Sequence, residues 1–103
     1  MHVQVLHISH CPSWVEAGTR LTNALESAGF PGNVEFHLIE TPEDAAAVPF
    51  SGSPTILLDG VDAFPGADRT TELACRIYRT ESGLAGLPSS EQIAAAITQH
   101  QAQ

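Results

Sequence analysis

The residues in this chain best suited to chemistry are its two cysteines. Cys11 stands in Ser9-His10-Cys11-Pro12, and Cys75 stands in Ala74-Cys75-Arg76. The thiolate form of cysteine is the nucleophile and the metal ligand, and nearby positive charge favours it. His10, next to Cys11, can stabilise that thiolate or take its proton. His7-x-x-His10-Cys11 also supplies two imidazoles and a thiolate, a donor set that suits zinc or copper(I). No matched ligand cluster occurs elsewhere in the sequence, so no metal or other cofactor is expected. Around Cys75 lie Arg69, Arg76 and Arg79, in a chain with no lysine. Arg76 above all would favour a thiolate there. The alternative is a buried cysteine on a short helix, packed beside Leu73 and Ile77. No paired acids, Gly-rich phosphate loop or Ser/His/Asp arrangement is recognisable.

These residues need elements to position them. His2 to Ile8 alternates and is rich in Val, Leu and Ile, which reads as a strand. Val3, Val5 and His7 point one way, Leu6 and Ile8 the other, as in a central strand covered on both faces. Pro12 then fits the first position of a helix. Trp14, Ala17, Leu21, Ala24, Leu25 and Ala28 recur at helical spacing. Gly29 ends that helix as a left-handed cap, and Pro31 prevents its restart. Cys11 therefore sits where unpaired helix N–H groups and the helix dipole favour negative charge. Its pKa is expected below the free value of roughly 8.5.

Val34 to Ile39 reads as a second strand. Thr41 caps and Pro42 opens a short helix, which Pro49 blocks. Gly52-Ser53-Pro54 leads into a third strand, Thr55 to Leu58. Asp59-Gly60 is a hairpin turn, with Val61 to Phe64 returning. Residues 65–87 are the least regular, with a helical turn expected around Glu72 to Tyr78. Ser89-Ser90-Glu91-Gln92 is a capping box before a last helix with Ile93, Ala96 and Ile97 on one face. The order is βαβαββα over one domain, residues 1–103, with the first two strands parallel and the last two antiparallel.

The chain carries 12 acidic and 4 basic residues, a formal net charge of −8. An acidic surface argues against nucleic acid and anionic membranes as partners. No run approaches the ~20 apolar residues of a membrane span. The N-terminus lacks a basic region and an apolar stretch leading to a cleavage site, so the cytoplasm is the expected location. In a reducing compartment two cysteines are not expected to form a permanent staple. A transient disulfide, a lone reactive thiol and two inert thiols all stay open.

Cys11-Pro12-Ser13-Trp14 after the first strand, Gly52-Ser53-Pro54-Thr55 opening the third, and Ala74-Cys75-Arg76-Ile77-Tyr78-Arg79-Thr80 resemble a short bacterial subgroup of the thioredoxin-like family. The resemblance covers almost the whole chain. It implies the thioredoxin fold: a mixed four-stranded sheet flanked by helices, an α/β architecture. It implies a cis peptide bond before Pro54, and a Ser53 backbone able to pair with an extended substrate segment. It places the segment after Phe64 near Cys11, which makes Cys75 a candidate resolving thiol. Redox-active members carry Cys-x-x-Cys, whereas Trp14 holds the second position here, so exchange within the motif is excluded. Trp14 is expected either to shield Cys11 or to pack as a helix-face core residue.

The implied function is thiol–disulfide redox chemistry, a thiol-disulfide oxidoreductase in enzyme terms. Cys11 is the nucleophile, Cys75 or an external thiol resolves, and His10 assists. Pro12, Trp14, Ser53, Pro54 and Arg76 would guide the substrate. The partners would be protein or low-molecular-weight thiols and disulfides. The alternatives are a soft-metal binder for copper(I) or mercury(II), and a thioredoxin-fold interaction module with incidental thiols.

Overall fold

Alternating apolar residues build the central strand, β1 (Val3–His7). The rest of the sheet forms around it. The computed structural model describes residues 1–30 and 32–102; Pro31, the expected barrier to helix restart, lies outside the described residues. After β1 the chain forms α1 (Ser13–Ser27), β2 (Val34–Leu38) and α2 (Pro42–Ala46). It continues through β3 (Thr55–Leu58), β4 (Val61–Asp62), β5 (Tyr78–Thr80), β6 (Gly83–Ala85) and α3 (Ser90–Gln101). This is an α/β arrangement with a mixed four-stranded sheet in the order β2-β1-β3-β4. β1 pairs parallel with β2, from Val3–Val34 to His7–Leu38, and antiparallel with β3, from Val3–Leu58 to Leu6–Thr55. No helix among the described residues is long and apolar enough to cross a membrane.

Strand alternation divides the core in two. Val3, Val5, Ile56 and Leu58 face Leu21 and Leu25 of α1 and Ile93 and Ile97 of α3. Leu6, Ile8 and Leu57 face the other way, packed with Ile39, Ala45, Phe50 and Cys11. The central strand is therefore covered on both faces. Burying each of these large aliphatic side chains contributes about 1.5–3 kcal/mol.

The local signals produce the expected ends. Gly29 takes φ +83° after the Ala28 cap, and Phe30 N–H donates to Leu25 C=O at 2.8 Å, a Schellman closure of α1. Thr41 accepts from Asp44 N–H, and Ser89 and Gln92 form the reciprocal capping box of α3. Asp59 and Gly60 both take positive φ, which gives the tight two-residue turn between β3 and β4.

Two expectations are corrected. β4 ends at Asp62, not Phe64, because Phe64 N–H donates to the Asp62 carboxylate at 2.8 Å and the chain turns out of the sheet. No helical turn forms over Glu72 to Tyr78. Residues 74 and 76 give their backbone groups to Ser53, and the chain then enters a separate β5–β6 hairpin. Gly83, at φ +112°, sits at its turn.

Core position should dominate mutational cost along α1. Leu21→Ala, at a site 1% exposed, is expected to cost about 3 kcal/mol. Val15→Ala, at a site 56% exposed, is expected to cost under about 0.5 kcal/mol. Denaturant unfolding of both variants compares them directly.

Candidate functional site

Cys11 lies at the exit of β1, one residue before the Pro12 cap of α1. Pro12 has φ −76°, already helical, and the helix begins at Ser13, one residue later than the sequence suggests. No side chain caps this end, so the first-turn N–H groups keep their positive field toward Cys11. Cys11 is 1% exposed and belongs to the second core with Leu6, Ile8 and Phe50. It is disulfide-bonded to Cys75, 64 positions further along the chain, with the two Cα atoms 5.9 Å apart.

Cys75 is brought there by a backbone clasp. Ser53 N–H donates to Ala74 C=O at 2.9 Å, and Arg76 N–H donates to Ser53 C=O at 2.8 Å. This is a parallel bridge between Ser53 and Cys75. Ser53 is 1% exposed, and its hydroxyl accepts from Ile8 N–H at 3.0 Å, tying the bridge to β1. The Ser53–Pro54 peptide bond is cis. The rest of the 65–77 loop is fastened to the same region. Thr70 N–H donates to Phe50 C=O at 2.9 Å, and Arg69 donates to Val48 C=O at 2.9 Å. The Tyr78 hydroxyl donates to Pro54 C=O at 2.5 Å, and burial pushes that phenol pKa up.

Arg76 turns away from the sulfurs. Its guanidinium donates to the Asp62 carboxylate at 2.9 Å and to Phe64 C=O at 2.6 Å, and lies 4.6 Å from the centre of the Tyr78 ring. Its side chain is 6% exposed, which commits it to holding β4 and the clasp together. Trp14 also faces away from the sulfurs. It packs against the first core and stacks on His7 with ring centres 4.1 Å apart, with Phe36 edge-on at 5.3 Å. His10 is exposed beside Cys11 in the chain. The structure thus brings Cys11, Pro12, Ser53, Pro54 and Cys75 together. It places Trp14 and the Arg76 guanidinium with other partners.

His7 is buried among these aromatics with its Nδ1 unpartnered. Burial holds its pKa below the ordinary 6.5. Among the described residues, no three His, Cys, Asp or Glu side chains gather to hold a metal ion.

Sequence reasoning misses Gly52 and Asp62. A Cβ on Gly52 would stand 2.8 Å from Arg76 Cβ and 3.0 Å from its Cα, and Gly52 has φ +105°. The signal available for Gly52 is its place before Ser53-Pro54. Asp62 has only its carboxylate beside a hairpin turn. No protein-family model, curated protein or solved structure matches this chain.

Gly52→Ala should strain the backbone and push the clasp outward, costing about 1–3 kcal/mol in denaturant unfolding. A variant as stable as the parent would refute the close approach. His7 predicts an acid-side effect. Its depressed folded pKa means that protonation favours unfolding, so its stabilising contribution is present above about pH 6.5 and lost as pH falls through the folded value. The stability difference between about pH 7 and about pH 5 should therefore shrink in His7→Phe. An unchanged difference would assign the acid sensitivity elsewhere.

Proposed function

We propose that this chain is a thiol–disulfide exchange protein of the thioredoxin fold, with Cys11 and Cys75 as its redox couple. The observation that carries the reading is the disulfide itself, set at the uncapped start of α1. A helix start favours the thiolate that Cys11 becomes on reduction. The strand order β2-β1-β3-β4, with helices on both faces and a cis bond before Pro54, supports the fold assignment. Trp14 at the second motif position leaves Cys75 as the intramolecular partner for Cys11. Ser53 holds the segment that carries Cys75, Pro54 C=O receives the Tyr78 hydroxyl, and His10 is exposed next to Cys11.

The chemistry balances as ordinary exchange. A partner thiolate attacks one sulfur of the couple, the S–S bond breaks, and the other cysteine leaves with the electron pair. A second partner thiol completes the reduction and leaves as a partner disulfide. Run in reverse, the reduced pair delivers two electrons to a partner disulfide. Partners are protein or low-molecular-weight thiols and disulfides. The formal charge of −8 favours neutral or cationic ones.

Equilibration in glutathione redox buffers tests this. The wild-type chain should gain and lose the mass of two hydrogens reversibly as the buffer is changed. Cys75→Ser should show only single-thiol adducts. A bond that survives excess glutathione under native conditions would make the pair a structural staple and refute the exchange reading. Reduction should also lower stability by roughly 4 kcal/mol, the chain-entropy expectation for a closed loop of this span, measured by parallel unfolding of oxidised and reduced protein.

A further inference from the structure

The couple is asymmetric in access. Cys11 is 1% exposed and packed in the second core, whereas Cys75 is exposed, as are Ala74 and Ile77 around the buried Arg76. Exchange at sulfur is an in-line displacement: the attacker arrives on the side of the attacked sulfur away from its partner. Attack on Cys11 would need a path through the side chains packed around it, among them Leu6, Ile8 and Phe50. Attack on Cys75 comes from outside the fold. We propose that Cys75, not the helix-start Cys11, is the sulfur that meets the substrate and carries the mixed disulfide. This inference rests on the exchange reading above.

The surroundings fit those roles. When an incoming thiolate bonds to Cys75 Sγ, the Cys11–Cys75 bond breaks and its electron pair leaves on Cys11 Sγ. Cys11 then becomes a thiolate beside the uncapped first turn of α1, whose unpaired N–H groups suit a departing negative charge. The two Ser53 hydrogen bonds to residues 74 and 76 do not involve the sulfurs, so breaking the sulfur bond does not itself remove them. The mixed disulfide therefore stays within reach of Cys11. The Cys11 thiolate can return to Cys75 Sγ, re-form the internal bond and expel the partner thiolate. In the reducing direction Cys75 attacks the partner disulfide, and Cys11 resolves. This reverses the roles suggested by the order of the motifs. The features that set it are burial of Cys11 by the second core and display of Cys75 by the Ser53 clasp.

The test is early trapping of the oxidised wild-type chain with glutathione. The reaction is quenched in acid, remaining thiols are alkylated after the quench, and peptides are mapped by mass spectrometry. Cleavage after Arg20 and Arg69 separates the two cysteines. Glutathione should be found on the Cys75 peptide and the alkyl group on the Cys11 peptide, in about tenfold excess over the reverse. Adducts mainly on Cys11 would overturn the assignment and leave exchange standing. No adduct and no reduction at either sulfur would overturn both. As a second measurement, a glutathione adduct formed on Cys75 in Cys11→Ala should persist, whereas in the wild type it should resolve to the internal disulfide. Equal lifetimes would remove Cys11 as the resolving thiol.

Discussion

The site depends on one residue's backbone. Ser53 N–H and C=O both bond to the segment 74–76, and its hydroxyl receives Ile8 N–H. These contacts join three distant stretches: the exit of β1, the approach to β3 and the loop that carries Cys75. A backbone group buried without a partner costs about 1–3 kcal/mol. Ser53 is almost fully buried, so the clasp satisfies groups that the interior would otherwise strand. Gly52 allows the approach, since a side chain there would meet the Arg76 backbone.

Around that clasp, packing and polar contacts divide the work. The first core, between the sheet and α1 and α3, fixes the frame. The second core, on the opposite face, holds Cys11. The short run from His7 to Trp14 crosses between them, with Cys11 on one side and Trp14 stacked on His7 on the other. Arg76 is almost as buried as Ser53, yet its charge is matched by Asp62, and a second guanidinium nitrogen donates to Phe64 C=O. Breaking such a buried pair from one side leaves an uncompensated charge, which costs more than the pair contributes.

Sequence made legible those parts of the fold that local chemistry decides. Gly29 at positive φ, Thr41 and Pro42 at a helix start, Asp59-Gly60 in a tight turn and the Ser89–Gln92 box each act within a few residues. Strand alternation in β1 was equally readable, since it assigns Val3 and Val5 to one core and Leu6 and Ile8 to the other. The stretch from 65 to 87 was not readable in this way. Thr70 bonds to Phe50, Arg69 to Val48, Ala74 and Arg76 to Ser53, and none of these partners is near in sequence. Helical spacing around Cys75 loses to that external pairing. The arginines near Cys75 misled for a similar reason: the charge of Arg76 is used by a carboxylate that nothing in the local pattern marks.

The backbone clasp also bears on how hard the two thiols are to keep apart. Two free thiols on separate molecules meet by diffusion; here the Ser53 hydrogen bonds to residues 74 and 76 hold the Cys75 segment beside Cys11 through contacts that do not involve the sulfurs. That raises the effective concentration of one thiol at the other, and linkage makes the effect mutual. Whatever the sulfur bond contributes to keeping the loop docked, docking contributes equally to keeping the sulfurs joined. Peeling 74–76 from Ser53 would therefore make the sulfur bond easier to reduce without touching either sulfur.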